Sequence, residues 1–80
     1  MYLLVTNKPK SRREASKWKF DGLIIPKPYK SNRTVDDRLW WAFRTEAAAK
    51  KVQEMLQLNN QGTGMRITLR KVDRIPSGWL

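Results

Sequence analysis

Between residues 38 and 70 the apolar residues change their spacing twice, and this double change restricts the fold more than any other feature of the chain. Leu39, Trp41 and Phe43 alternate with Trp40, Ala42 and Arg44, the period of two that sends successive side chains of a strand to opposite faces. The run is rich in aromatic residues, which suit a pleated surface, so 38–44 is predicted to be a strand. Thr45 then offers a capping oxygen, and Glu46 falls in a first turn, where the helix dipole favours an anion. Ala48, Ala49, Val52, Met55 and Leu56 recur at the spacing of one helical face, with Lys50, Lys51, Gln53, Glu54 and Gln57 on the others. The pattern stops near Leu58, where Asn59-Asn60-Gln61-Gly62 tolerates left-handed backbone. Met65, Ile67 and Leu69 alternate with Arg66, Thr68 and Arg70, a second strand.

The first half admits two arrangements. Met1–Thr6 reads as a short apolar strand. Beyond it, a two-residue turn at Asp21-Gly22 would pair Phe20 with Leu23 and Trp18 with Ile25 on one face, as a type I′ hairpin requires. Competing with that, Ser11-Arg12-Arg13-Glu14 has the capping-box pattern that opens a helix, with Ala15 and Trp18 inward. A helix near 11–19 gives a βαββαβ order, whereas the hairpin gives a mostly antiparallel sheet with a single helix. The agreement of both Asp-Gly pairs favours the hairpin. In either case the expected class is α+β, an antiparallel sheet of three to five strands with one main helix (about 45–58) packed on one face. Eighty residues are too few for two cores, so 1–80 is read as one domain.

The chain contains no cysteine and no histidine. Disulfide scaffolds, Cys/His zinc sites, thiol nucleophiles and histidine-based acid–base mechanisms are thereby excluded. The longest apolar runs, Tyr2–Val5 and Leu23–Ile25, are far shorter than the roughly 20 residues that cross a bilayer. The N-terminal apolar stretch also precedes its charges, the reverse of a signal peptide. A soluble, cytoplasmic protein with no membrane partner is expected.

Seventeen Lys and Arg oppose seven Asp and Glu, a net charge of +10. The excess is concentrated between residues 7 and 33. There Lys8, Lys10, Arg12, Arg13, Lys17, Lys19, Lys27, Lys30 and Arg33 face only Glu14 and Asp21. Pro9, Pro26 and Pro28 interrupt the same segment, which therefore reads as extended or looped backbone. Cations displayed this way suit a line of phosphates, whose condensed counterions are released on binding. Lys8, Lys10, Arg12, Arg13, Lys17 and Lys19 are the expected phosphate contacts, and Lys27, Lys30 and Arg33 extend the surface. Tyr29 stands among them where its ring could stack on a base. Arg66 and Arg70, with Thr68 between, would form a second cationic surface on the last strand, beside Arg44 and Trp40 if those face the same way.

The expected function is thus that of a small, basic, non-enzymatic nucleic-acid-binding protein with no cofactor, metal or small-molecule substrate. The alternative is a regulator or inhibitor whose cations dock on the acidic surface of a partner enzyme, with Trp40 or Trp79 as an apolar anchor. Trp40 would then be exposed, unless the basic segment folds back over it. Trp79-Leu80 would either tuck into the core or project as a hook. Asp36-Asp37, the one adjacent acid pair, would point to opposite faces of a strand and so reads as a turn or strand entry rather than a metal site. Gly62-Thr63-Gly64 lacks the lysine and length of a phosphate-binding loop and reads as a turn.

Overall fold

Tyr2–Thr6 forms the strand on which the sheet is built, β1. The computed structural model describes residues 1–79, and the remaining elements are α1 (Arg12–Ser16), β2 (Lys30–Arg33), β3 (Leu39–Phe43), α2 (Glu46–Asn59), β4 (Ile67–Lys71) and a 3-10 turn at Ser77–Trp79. The strands lie in the order β2-β3-β1-β4, every neighbouring pair antiparallel. Placing β3 between β1 and β2, and β1 between β3 and β4, gives two interleaved strand–helix–strand units, the βαββαβ arrangement. No helix among the described residues is long and apolar enough to cross a membrane.

The two central strands are buried on both faces. Leu4, Leu39, Trp41, Phe43 and Ile67 meet Ala49, Val52 and Leu56 of α2 in one core, joined by Trp18 and Met65. On the other face Leu3, Val5, Trp40 and Ala42 lie under Ile75, with Met1, Val72 and Trp79 around them. Thr6, also buried, accepts a hydrogen bond on its hydroxyl from the Leu39 N–H at 2.9 Å, so the polar end of β1 is satisfied across the sheet. At α2, the Thr45 hydroxyl accepts from the Ala48 N–H at 3.2 Å. Met55, expected to face inward, instead lies exposed on the flank of this helix, because three positions per two turns already cover the sheet. The left-handed conformation after the helix falls on Gly62 and Gly64 (φ +80° and +82°) and not on the preceding asparagines.

The Asp21-Gly22 hairpin does not form. Asp21–Leu23 is a turn, closed by the Leu23 N–H on the Phe20 carbonyl at 3.1 Å, but no strand flanks it. The helix start prevails instead: the Ser11 hydroxyl accepts from the Glu14 N–H at 3.2 Å and caps α1. Two distant tethers fix the backbone that the hairpin would need. The Trp18 indole donates to the Thr63 carbonyl at 3.0 Å, and the buried Asn60 side chain holds both backbone groups of Lys19, accepting from its N–H at 2.7 Å and donating to its carbonyl at 2.6 Å. Beyond Ile25, Pro26 has no N–H to give to a strand ladder. Trp18, Phe20, Leu23 and Ile24 still reach the helix-side core, whereas Ile25 is exposed.

Asn60 is therefore the joint between the basic segment and the end of α2. Its replacement by alanine strips the partners from a part-buried N–H and carbonyl at once, and such orphaned groups cost about 1–3 kcal/mol. Urea unfolding of Asn60→Ala should show a loss of about 2 kcal/mol with an unchanged m-value; an unaltered midpoint would mean that the tether carries no stability.

Candidate nucleic-acid interface

The fold divides the basic segment into two groups at opposite ends of β2. The first surrounds α1. Arg12 and Arg13 are adjacent and exposed, yet they line different clefts. Arg13 and Lys17 border one of about 360 Å³ with Glu14 and the Gly62–Gly64 loop. Arg12 shares one of about 350 Å³ with Ser16 and with Arg33 and Asp37 of the neighbouring hairpin. Gly64 allows the close approach on the first side, since a Cβ there would sit 2.8 Å from the Glu14 carboxyl carbon. Lys8 and Lys10 are exposed on the chain that leads from β1 into α1, and Lys19 is exposed beyond it. That lead-in is anchored by Asn7, whose side chain accepts from the Arg66 N–H at 2.7 Å and donates to the Gly64 carbonyl at 3.0 Å.

The second group gathers where β2 begins. The Tyr29 N–H donates to the Ala42 carbonyl at 2.7 Å, which seats the residue against β3. Its ring is half-exposed, with the Arg44 guanidinium 4.3 Å from the ring centre and the Lys30 ammonium at 6.0 Å. Lys27 and Arg44 share a cleft of about 230 Å³ with this ring. The condition that Arg44 share the face of Arg66 and Arg70 is not met. β3 ends at Phe43, so Arg44 escapes the alternation and turns to Tyr29.

Thr68 and Arg70 are exposed on the face opposite α2, as their register with Val5 and Leu3 requires, and Arg66 is exposed just before the strand. Trp40 shares that face but supplies no aromatic surface. It is 1% exposed, beneath Trp79, with ring centres 6.1 Å apart. The cover over Trp40 is neither a partner nor the basic segment but residues 72–79, which cross the sheet from β4 until Trp79 accepts from the Asn32 side chain of β2 at 3.4 Å. The two tryptophans anchor each other, so of the two placements open to Trp79 the tucked one is found, with the ring half-buried against Trp40; Leu80 lies outside the described residues.

Asp36 and Asp37 form the turn between β2 and β3. Asp37 adopts φ +66°, and its carboxylate lies 3.7 Å from the Arg33 guanidinium. Asp36 takes a hydrogen bond from the Thr34 hydroxyl and lies 3.1 Å from the Arg38 Nε, a contact whose angle falls short of a hydrogen bond. The Thr34 hydrogen bond, followed by the Arg38 charge, holds the Asp36 carboxyl below its ordinary value of 3.8. Glu46 and Lys50 form the one further ion pair among the described residues, at 2.7 Å.

Because the folded Asp36 is the stronger acid, its contribution to the hairpin is in force above the ordinary carboxylate range and is lost as pH falls through the depressed folded value. Thr34→Val removes the main cause, so carboxyl NMR titration should find Asp36 moved up toward 3.8; an unmoved midpoint would assign the effect to Arg38. Comparison of the chain with known protein families, with curated proteins and with solved structures gives no match.

Proposed function

We propose that this protein is a non-enzymatic nucleic-acid-binding module that grips the phosphate backbone through α1 and its flanks. Arg66 and Arg70 supply a second contact face. One observation carries the reading. Of the nine cations between residues 7 and 33, only Arg33 has a carboxylate within ion-pair distance among the described residues. Lys8, Lys10, Arg12, Arg13, Lys17, Lys19, Lys27 and Lys30 are exposed and unpaired, in a molecule whose net charge is already +10. Ordinary protein surfaces intersperse the two signs, and an uncompensated field of one sign repels itself until a polyanion arrives. The spread of these cations over two clefts and a lead-in suits a line of phosphates better than a single point charge.

The docking alternative loses its anchors. Interfaces draw most of their energy from a few aromatic residues that enter pockets on the partner. Trp18, Trp40 and Trp41 are buried in the two cores and Trp79 is stacked on Trp40.

Fluorescence anisotropy of labelled duplex, single-stranded DNA and RNA hairpins, titrated from low to moderate salt, tests the reading. Each lost phosphate contact lowers the salt slope by about 0.9 on B-form DNA. Because Arg12 and Arg13 line separate clefts, each single glutamine variant should lower the slope by about one and the double variant by about two. Binding should weaken alike on every sequence tested. An unchanged slope in the double variant would remove α1 from the interface.

A further inference from the structure

The two ends of β2 differ in a way that bears on which nucleic acid is bound. The clefts around α1 and around the β2–β3 turn contain carboxylates, Glu14 in one and Asp36 or Asp37 in the others, and the cleft beside Trp18 contains Asp21. The cleft at Tyr29 contains none. Its charged lining is Lys27 and Arg44, and the rest of its wall is Pro26, Pro28, Phe43, Thr45 and Ala48 beside Tyr29. Cationic and apolar at once, it matches a group with a flat π-face attached to a negative backbone. At about 230 Å³ it falls below the roughly 300–1,000 Å³ of sites that enclose whole small molecules.

We propose that this cleft takes one unpaired nucleobase, stacked on the platform formed by the Tyr29 ring and the Arg44 guanidinium. The inference rests on the nucleic-acid reading above and makes it more specific: the preferred ligand is a strand with free bases. Ring and guanidinium lie 4.3 Å apart and both are exposed. A planar guanidinium stacks on aromatic rings and bases alike, so the platform can extend a stack by one more plane. The platform is held in place before the ligand arrives. Tyr29 is fixed by its bond to the Ala42 carbonyl, and the flanking prolines restrict the backbone that leads to it. Lys27 and Lys30 then meet the phosphates on either side. The Thr45 hydroxyl, the polar group of the cleft nearest to a reading role, already caps α2. Stacking without such readout tolerates every base. A base inside a duplex reaches this platform only by leaving its own stack, at a cost that a free strand does not incur.

The test compares a short labelled oligodeoxythymidine with an abasic strand of the same length, which keeps the phosphates and removes the bases. At one salt concentration the wild-type protein should prefer the base-bearing strand by about tenfold. Tyr29→Ala should remove that preference while leaving the salt slope unchanged, and Tyr29→Phe, which keeps the ring, should retain it. Arg44→Gln should reduce the preference and lower the slope together. Equal binding of the two strands by the wild type, or a preference that survives in Tyr29→Ala, would overturn the base site and leave phosphate binding standing. Failure of both strands to bind at low salt would overturn the base site and the nucleic-acid reading together.

Discussion

Every other feature of this molecule follows from the need to cover two faces of one short sheet. β1 and β3 carry apolar side chains in both directions, Leu3 and Val5 one way and Leu4 the other, Trp40 and Ala42 one way and Leu39, Trp41 and Phe43 the other. A sheet open to water on one side presents alternating polar residues; this one does not. A chain of eighty residues has one long helix available for one face, and residues 72–79 serve for the second. Within these limits the sheet edges are closed economically. Gln53 and Gln57 on α2 bind the outward backbone groups of Ile67 at the start of β4, and the Asn32 side chain accepts from the Arg33 N–H on β2. Both edges are thereby blunted without additional elements.

The covering of both faces leaves function to the periphery. With the aromatic residues mostly committed to the two cores, the surface is rich in cations and shows single apolar side chains such as Ile25, Val35 and Leu58, but few rings. Tyr29 is the exception, an aromatic ring left half-exposed beside three positive charges. α1 is too short to contribute to either core through its own residues. Its stability comes from the Ser11 cap and from the tethers at Trp18 and Lys19 that follow it. The arginines it carries are thus held by contacts in which they take no part, and a ligand can engage them without disturbing the fold.

Periodicity made β3, α2 and β4 legible, because each has a buried face whose spacing the residues record. The helix start at Ser11–Glu14 and the Asp21-Gly22 turn were equally visible, and both exist. What decided between helix and hairpin was a pair of contacts 41 and 45 residues away in the chain, Asn60 to Lys19 and Thr63 to Trp18, which no local pattern encodes. β2 left no signal at all: Lys30, Ser31, Asn32 and Arg33 are exposed, so its pairing with β3 is written only in the partner strand. The cover over Trp40 was hidden for a related reason. Residues 72–79 are irregular, and Ile75 and Trp79 are too widely spaced to announce a common face. At the candidate site Tyr29 and its lysines could be singled out from composition, but strand parity could not tell where Arg44 faces, because it lies one residue beyond where the strand stops.

The position of that cover in the chain has a kinetic meaning. The helix-side core needs β1, β3, α2 and β4, all of which lie before residue 72. The opposite face, with Trp40 at its centre, waits for Ile75 and Trp79. A chain that docks α2 on the sheet before residues 72–79 close therefore has one finished core and one bare apolar sheet face, an aggregation-prone surface until Ile75 and Trp79 settle over Trp40.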